Sequence, residues 1–148
     1  MWRHAPAASP AAKACPVILR GDAILAFRHP RAGVQLVKGT IEPGEDPAEA
    51  AVRELWEEAG IHARPARSLG TIVIGPPPLT WSFWLMRASR LPQRWAHHCD
   101  DDGGQVFRFL WWPLQRPAGR AWHPIHRRAL AKLRTRLGRR GSVPTIRS

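Results

Sequence analysis

Cysteine is nearly absent. The chain has two, Cys15 and Cys99, among 148 residues, which excludes a disulfide scaffold and a four-cysteine zinc site. Long apolar runs are missing too. The longest is about five residues, far short of the roughly 20 that a helical membrane span needs. The first ten residues are broken by Pro6 and Pro10 and contain no signal-peptide core, so the reading is a soluble cytoplasmic protein with no membrane partner. Tyrosine is absent, leaving eight Trp and four Phe as the aromatic residues. Acids are scarce, 11 against 23 Lys and Arg, for a formal charge of +12. With 44% hydrophobic and 23% charged residues, the composition is that of one globular domain and excludes wholesale disorder.

What is present alternates between strand and helix signals. Pro16 to Arg20 and Asp22 to His29 read as two strands joined at Gly21-Asp22, and Gly33 to Val37 as a short apolar stretch. Leu69 to Ile74 ends at Gly75-Pro76-Pro77-Pro78, and Leu79 to Met86 alternates in polarity. Trp95 to His98 and Val106 to Trp112 complete the strand candidates. Between His123 and Leu137, Ile125, Ala129, Leu133 and Leu137 recur every four positions, as on an amphipathic helix. Residues 1–14 read as a flexible tail, 15–137 as the domain and 138–148 as a basic flexible tail carrying Arg139, Arg140 and Arg147. Strands interleaved with two helices predict a mixed α/β fold.

The few acids are not spread evenly. Between Gly39 and Ile61 lie seven (Glu42, Glu45, Asp46, Glu49, Glu54, Glu57, Glu58) and one base, Arg53. A helix is expected over Pro47 to Ala59, with Asp46 and Glu49 as a capping box, Pro47 in the first turn and Gly60 ending it. Val52, Leu55, Trp56 and Ala59 form the stripe expected to be buried, with Trp56 in the core. Glu54, Glu57 and Glu58 share another surface at i, i+3 and i+4. Their mutual repulsion costs a few tenths of a kcal/mol per pair, about what an unfavourable i,i+4 contact costs, and the macrodipole at this end of a helix adds to it. A hard cation such as Mg²⁺ or Mn²⁺, which prefers oxygen ligands, offsets that cost, as does plain solvation of an acidic face.

These residues resemble a known family. Gly39, five residues, Glu45, seven residues and then Arg53-Glu54-Leu55-Trp56-Glu57-Glu58-Ala59-Gly60-Ile61 match the complete Nudix box, G-x5-E-x7-R-E-U-x-E-E-x-G-U, where U is bulky and aliphatic. A chance match in this chain is below roughly one in a million at average residue usage. The resemblance implies an α/β/α sandwich around a central mixed sheet, and Mg²⁺- or Mn²⁺-dependent hydrolysis of a diphosphate bond in a nucleotide or nucleoside diphosphate-linked substrate. It implies that Glu54, Glu57 and Glu58 are catalytic and hold the metal with a backbone carbonyl near Lys38–Gly39. Arg53 would orient the glutamates by pairing with Glu45 or Glu49, and Gly39 would admit close backbone approach. A 5′-diphosphate or triphosphate on RNA is the alternative substrate, and a non-catalytic nucleotide-sensing module the more distant one. A homodimer is compatible with all three.

Outside the box the acids are Asp22, Asp100, Asp101 and Asp102. The Asp100–Asp102 loop, Asp101 included, is the candidate for an additional base or substrate contact, weighed against a solvated turn. Arg20, Arg28, Arg31 and Lys38 are the phosphate-contact candidates, on proximity to the box and the fit of guanidinium to phosphate. Trp81, Phe83 and Trp95 are candidates to stack on a base, against ordinary packing. His97-His98-Cys99 lacks a second pair at zinc spacing. His123 and His126 stand at i, i+3 at the start of the last helix, where a capping or surface role is expected and substrate contact is the alternative.

Overall fold

The computed structural model describes residues 12–100 and 103–139; Asp101 and most of both expected tails lie outside them. Strands β1 (Lys13–Val17), β2 (Leu19–Arg20), β3 (Ala23–His29), β4 (Gly33–Gln35) and β5 (Gly39–Thr40) precede helix α1 (Pro47–Ala59). Strands β6 (Arg64–Ile74), β7 (Leu79–Arg87), β8 (Trp95–Cys99) and β9 (Gln105–Pro113) follow, then helix α2 (Pro124–Arg139). A four-stranded sheet runs β5-β1-β7-β6, with β1 parallel to β7 and the other pairs antiparallel. An antiparallel sheet runs β2-β3-β9-β8, with β4 on β3. The expected mixed α/β architecture is thus observed.

Strand alternation builds the sandwich. Successive residues of a strand face opposite ways: Cys15 and Val17 of β1 join Ala129, Leu130, Leu133 and Leu137 of α2 in one core. Ala14, together with Ile18 just past the end of β1, joins Ala50, Ala51, Leu55 and Ala59 of α1 in the other. In β3, Ile24 and Ala26 face the α2 side while Leu25 and Phe27 face the α1 side. Strands buried on both faces read as apolar runs rather than as simple alternation. Trp111 and Trp112 straddle the sheet in the same way, Trp112 on the α2 side and Trp111 at the edge of the α1 side.

β1 begins at Lys13, inside the stretch expected to be tail, and the first five residues of β6 are exposed; Lys13 and the polar start of β6 fall outside the apolar runs that mark a strand. His126 departs from expectation: it is 2% exposed. Its Nδ1 accepts from Leu36 N at 3.0 Å, and burial, aided by Lys38, pulls its pKa down to about 2. A histidine held neutral in the fold but free to protonate at its ordinary 6.5 when unfolded contributes stability that is full above pH 6.5 and lost as pH falls toward 2. Melting temperature should therefore begin to fall near pH 6.5, above the range where carboxylates titrate. A flat profile down to pH 5 would contradict this.

Candidate active site

The box folds as loop, helix, loop because its local signals agree. Asp46 caps α1 by accepting from Ala48 N at 2.9 Å, and Gly60 ends it at φ 71°, a left-handed conformation that glycine adopts without steric cost. The buried face is rotated from the expected stripe. Ala50, Ala51, Glu54, Leu55 and Ala59 are buried, whereas Trp56 is 48% exposed and stacks on His62 with centroids 4.0 Å apart. The small Ala50 and Ala51 let α1 approach β1 closely, which turns Glu54 inward and moves Trp56 to the rim.

Glu54 is pressed against Gly39. A Cβ on Gly39 would lie 1.9 Å from Glu54 Cδ and 2.2 Å from both carboxylate oxygens, so any larger residue there must push the carboxylate or the strand aside. Gly39 is itself placed by pairing opposite Ala14 of β1. Arg53 organises the other acids. Its Nε and Nη2 donate to Glu45 Oε2 and Oε1, both at 2.9 Å. Its Nη1 donates to Glu54 Oε2 at 2.8 Å and Glu57 Oε1 at 3.1 Å, and Nη2 reaches Thr40 O at 3.0 Å. Of the two expected pairings, Glu45 is the one made, in the planar fork that suits a carboxylate. Glu45 also accepts from Glu42 N.

The two kinds of acid respond oppositely. Arg53 and the Glu42 amide hold Glu45 down at about 2. Burial pushes Glu54 up, opposed by Arg53 and by a hydrogen bond with Glu58. Glu45 therefore adds stability that is complete above its ordinary 4.5 and lost as pH falls toward 2. Glu45→Gln should lower the melting temperature at pH 6 and leave it close to wild type near pH 2; an equal gap at both values would rule the pairing out as the source.

Among the described residues no three His, Cys, Asp or Glu side chains converge as a ready metal centre; the carboxylates turn toward Arg53 and, for Glu54 and Glu58, toward each other. The chemistry of the donor set nevertheless fits a hard dication. Glu54, Glu57 and Glu58 supply only oxygen, and the bare Gly39 backbone lets the Glu54 carboxylate lie against it.

Lys13, expected in the N-terminal tail, sits beside this site. Its Nζ donates to Thr40 Oγ1 at 2.7 Å, and burial with the nearby charge of Lys38 lowers its pKa. A lone lysine in an Ala-rich segment carries no signal for this. Lys38 Nζ lies 5.9 Å from the Trp81 ring. Arg28 is exposed on β3, opposite Arg108 of β9 and Val34 of β4. Arg20 is engaged away from the glutamates, with Gln93, backbone carbonyls of Leu91 and Pro92 and the Trp111 ring. Trp81 and Phe83 are fully buried and Trp95 stacks on Phe109 at 5.0 Å, so packing accounts for all three. His123 is the expected cap, its Nδ1 accepting from Ile125 N. The His97-His98-Cys99 run divides: His97 meets Glu57 O, His98 faces Asp100 and Cys99 is buried.

A family model described as the NUDIX domain matches residues 9–133. The chain belongs to the NUDIX family. Among solved structures, an ADP-ribose pyrophosphatase from Streptococcus suis superposes with TM-score 0.67 at 17% identity, over 90% of this chain and 94% of that one. A MutT NUDIX hydrolase from Burkholderia pseudomallei gives 0.64 at 22% identity, over 83% and 97%. Likeness at this identity establishes the NUDIX fold. RNA pyrophosphohydrolases of Psychrobacter cryohalolentis and Psychrobacter arcticus are 34% identical over 79 residues, 53% of this chain. The chain spans 39% of the length of these curated relatives.

Proposed function

We propose that this NUDIX chain hydrolyses a diphosphate bond in a nucleotide or nucleoside diphosphate-linked substrate, with Mg²⁺ or Mn²⁺ as cofactor. The observation that carries the reading is the Arg53 hub, which gathers Glu45, Glu54 and Glu57 beside the bare Gly39 backbone. Glu54, Glu57 and Glu58, with the Gly39 carbonyl, would hold the dication, which when bound neutralises charge on the diphosphate. Arg53 and Glu45 position these carboxylates. Glu57, with its side chain 44% exposed, is the most open of the three, Glu58 being half-buried and Glu54 buried, and the proton of the attacking water passes to a box carboxylate. Lys13, Lys38 and Arg28 are the cations proposed to meet phosphate oxygens. The described helices include none long and apolar enough to cross a membrane, and two buried free thiols suit a reducing, cytoplasmic compartment.

The Psychrobacter relatives favour a second reading, removal of diphosphate from the 5′ end of RNA. A phosphate-release screen over nucleoside diphosphate derivatives and 5′-triphosphorylated RNA, with Mg²⁺ or Mn²⁺ and with chelator, tests both. Release from at least one substrate class, abolished by chelator, is expected; no release from any of them would overturn the proposal.

A further inference from the structure

At the other end of the sheet lies a cleft of about 1340 Å³ between β2, the start of β6, the end of β7 and the end of α2. It is roughly 13 Å from the Gly39 pairing, the reach of four extended residues from Ala14, opposite Gly39, to Ile18 at about 3.3 Å each. Arg64, Arg67, Arg87 and Arg134 line it, against one described acid, Asp22. The arginines are poorly accounted for by the fold. Arg64 and Arg87 are directly opposed across β6 and β7, a like-charge pairing that destabilises a sheet. Arg134 donates from Nη2 to Arg116 O, yet its Nε is buried with no hydrogen-bond partner. None of these four appears in a carboxylate ion pair among the described residues.

The cleft continues into a smaller groove through His62 and Ser89, which line both. This groove holds Arg90, whose φ of 59° is strained for a non-glycine residue, and the exposed Trp56 ring stacked on His62. An anion alone explains the arginines but not a half-exposed Trp beside them. Guanidinium groups that meet a backbone, next to an aromatic face that meets a base, are the pattern of single-stranded nucleic-acid binding. From this we infer that the joined grooves bind single-stranded RNA. The inference deepens the RNA reading of the substrate, yet it concerns binding and does not depend on hydrolysis.

The test is fluorescence anisotropy with a 5′-hydroxyl single-stranded RNA of about 12 nucleotides, within the usual site size, in chelator so that no reaction occurs. Wild type should bind with a log–log salt slope of about −3, from about four phosphates neutralised. Arg64→Gln with Arg87→Gln should weaken binding about tenfold and reduce that slope by about 1.4. Trp56→Ala should weaken it about tenfold with the slope unchanged, because stacking releases no counterions. The arginine double variant should melt no lower than wild type and hydrolyse mononucleotide substrates at the wild-type rate. An unchanged slope in the double variant overturns the inference. So does displacement by a mononucleotide at equal concentration, which would mark a small-ligand site, or duplex RNA binding as tightly as single-stranded RNA. Glu57→Gln should bind the RNA normally; wild-type protein that binds it yet hydrolyses no diphosphate would sink the proposed function and leave this inference standing.

Discussion

Glu57→Gln and Glu58→Gln should each lower kcat by about 10²–10⁴-fold, the span over which a positioned proton-transfer group acts, while the protein stays folded. The amide keeps the shape of the side chain and removes its charge, which both cation binding and proton acceptance require. Stability should hardly change. Glu57 is exposed, so its bond to Arg53 Nη1 is worth at most about 1 kcal/mol, and removing one of three crowded charges returns part of that. Steady-state kinetics with saturating Mg²⁺ and Mn²⁺, beside thermal melts, separates the two effects. Full turnover in both variants would remove these residues from the mechanism; a collapse in melting temperature would make their role structural.

Gly39→Ala should be nearly as damaging to activity and far more so to the fold, through a single methyl group. Its Cβ would sit 1.9 Å from Glu54 Cδ, so either the β5 backbone or the buried carboxylate must move. Overpacking of this kind costs about 1–3 kcal/mol, and a displaced Glu54 leaves its bonds to Arg53 and Glu58. The two positions should be coupled: in the Glu54→Ala background, Gly39→Ala should cost little stability because the atoms it strikes are gone. A double-mutant cycle by denaturant unfolding measures this. Additive losses would show that Gly39 acts elsewhere than on Glu54.

Much of this site was legible because its logic is local. Caps, glycine stop and the i, i+3, i+4 carboxylates are set by helix geometry within 23 residues, and the helix formed where those signals placed it. The misreadings concern what touches the helix. Trp56 fell on a plausible apolar stripe, but which side of a short helix is buried depends on what packs against it, and here Ala50, Ala51 and Glu54 share the buried side. His126 reads as polar in isolation and becomes core because Leu36 N, 90 residues away in sequence, needs an acceptor.

Family, the alternation of strands and helices, and the crowded glutamates with their arginine are legible in residue order, since each is written in short-range periodicity or in fixed spacings along one stretch of chain. That Arg53 takes Glu45, that Glu54 lies on Gly39, that Lys13 joins the site and that Arg64 opposes Arg87 emerges from the folded chain alone. Those contacts depend on strand register and on the distance of closest approach between elements far apart in the chain, which no local pattern specifies.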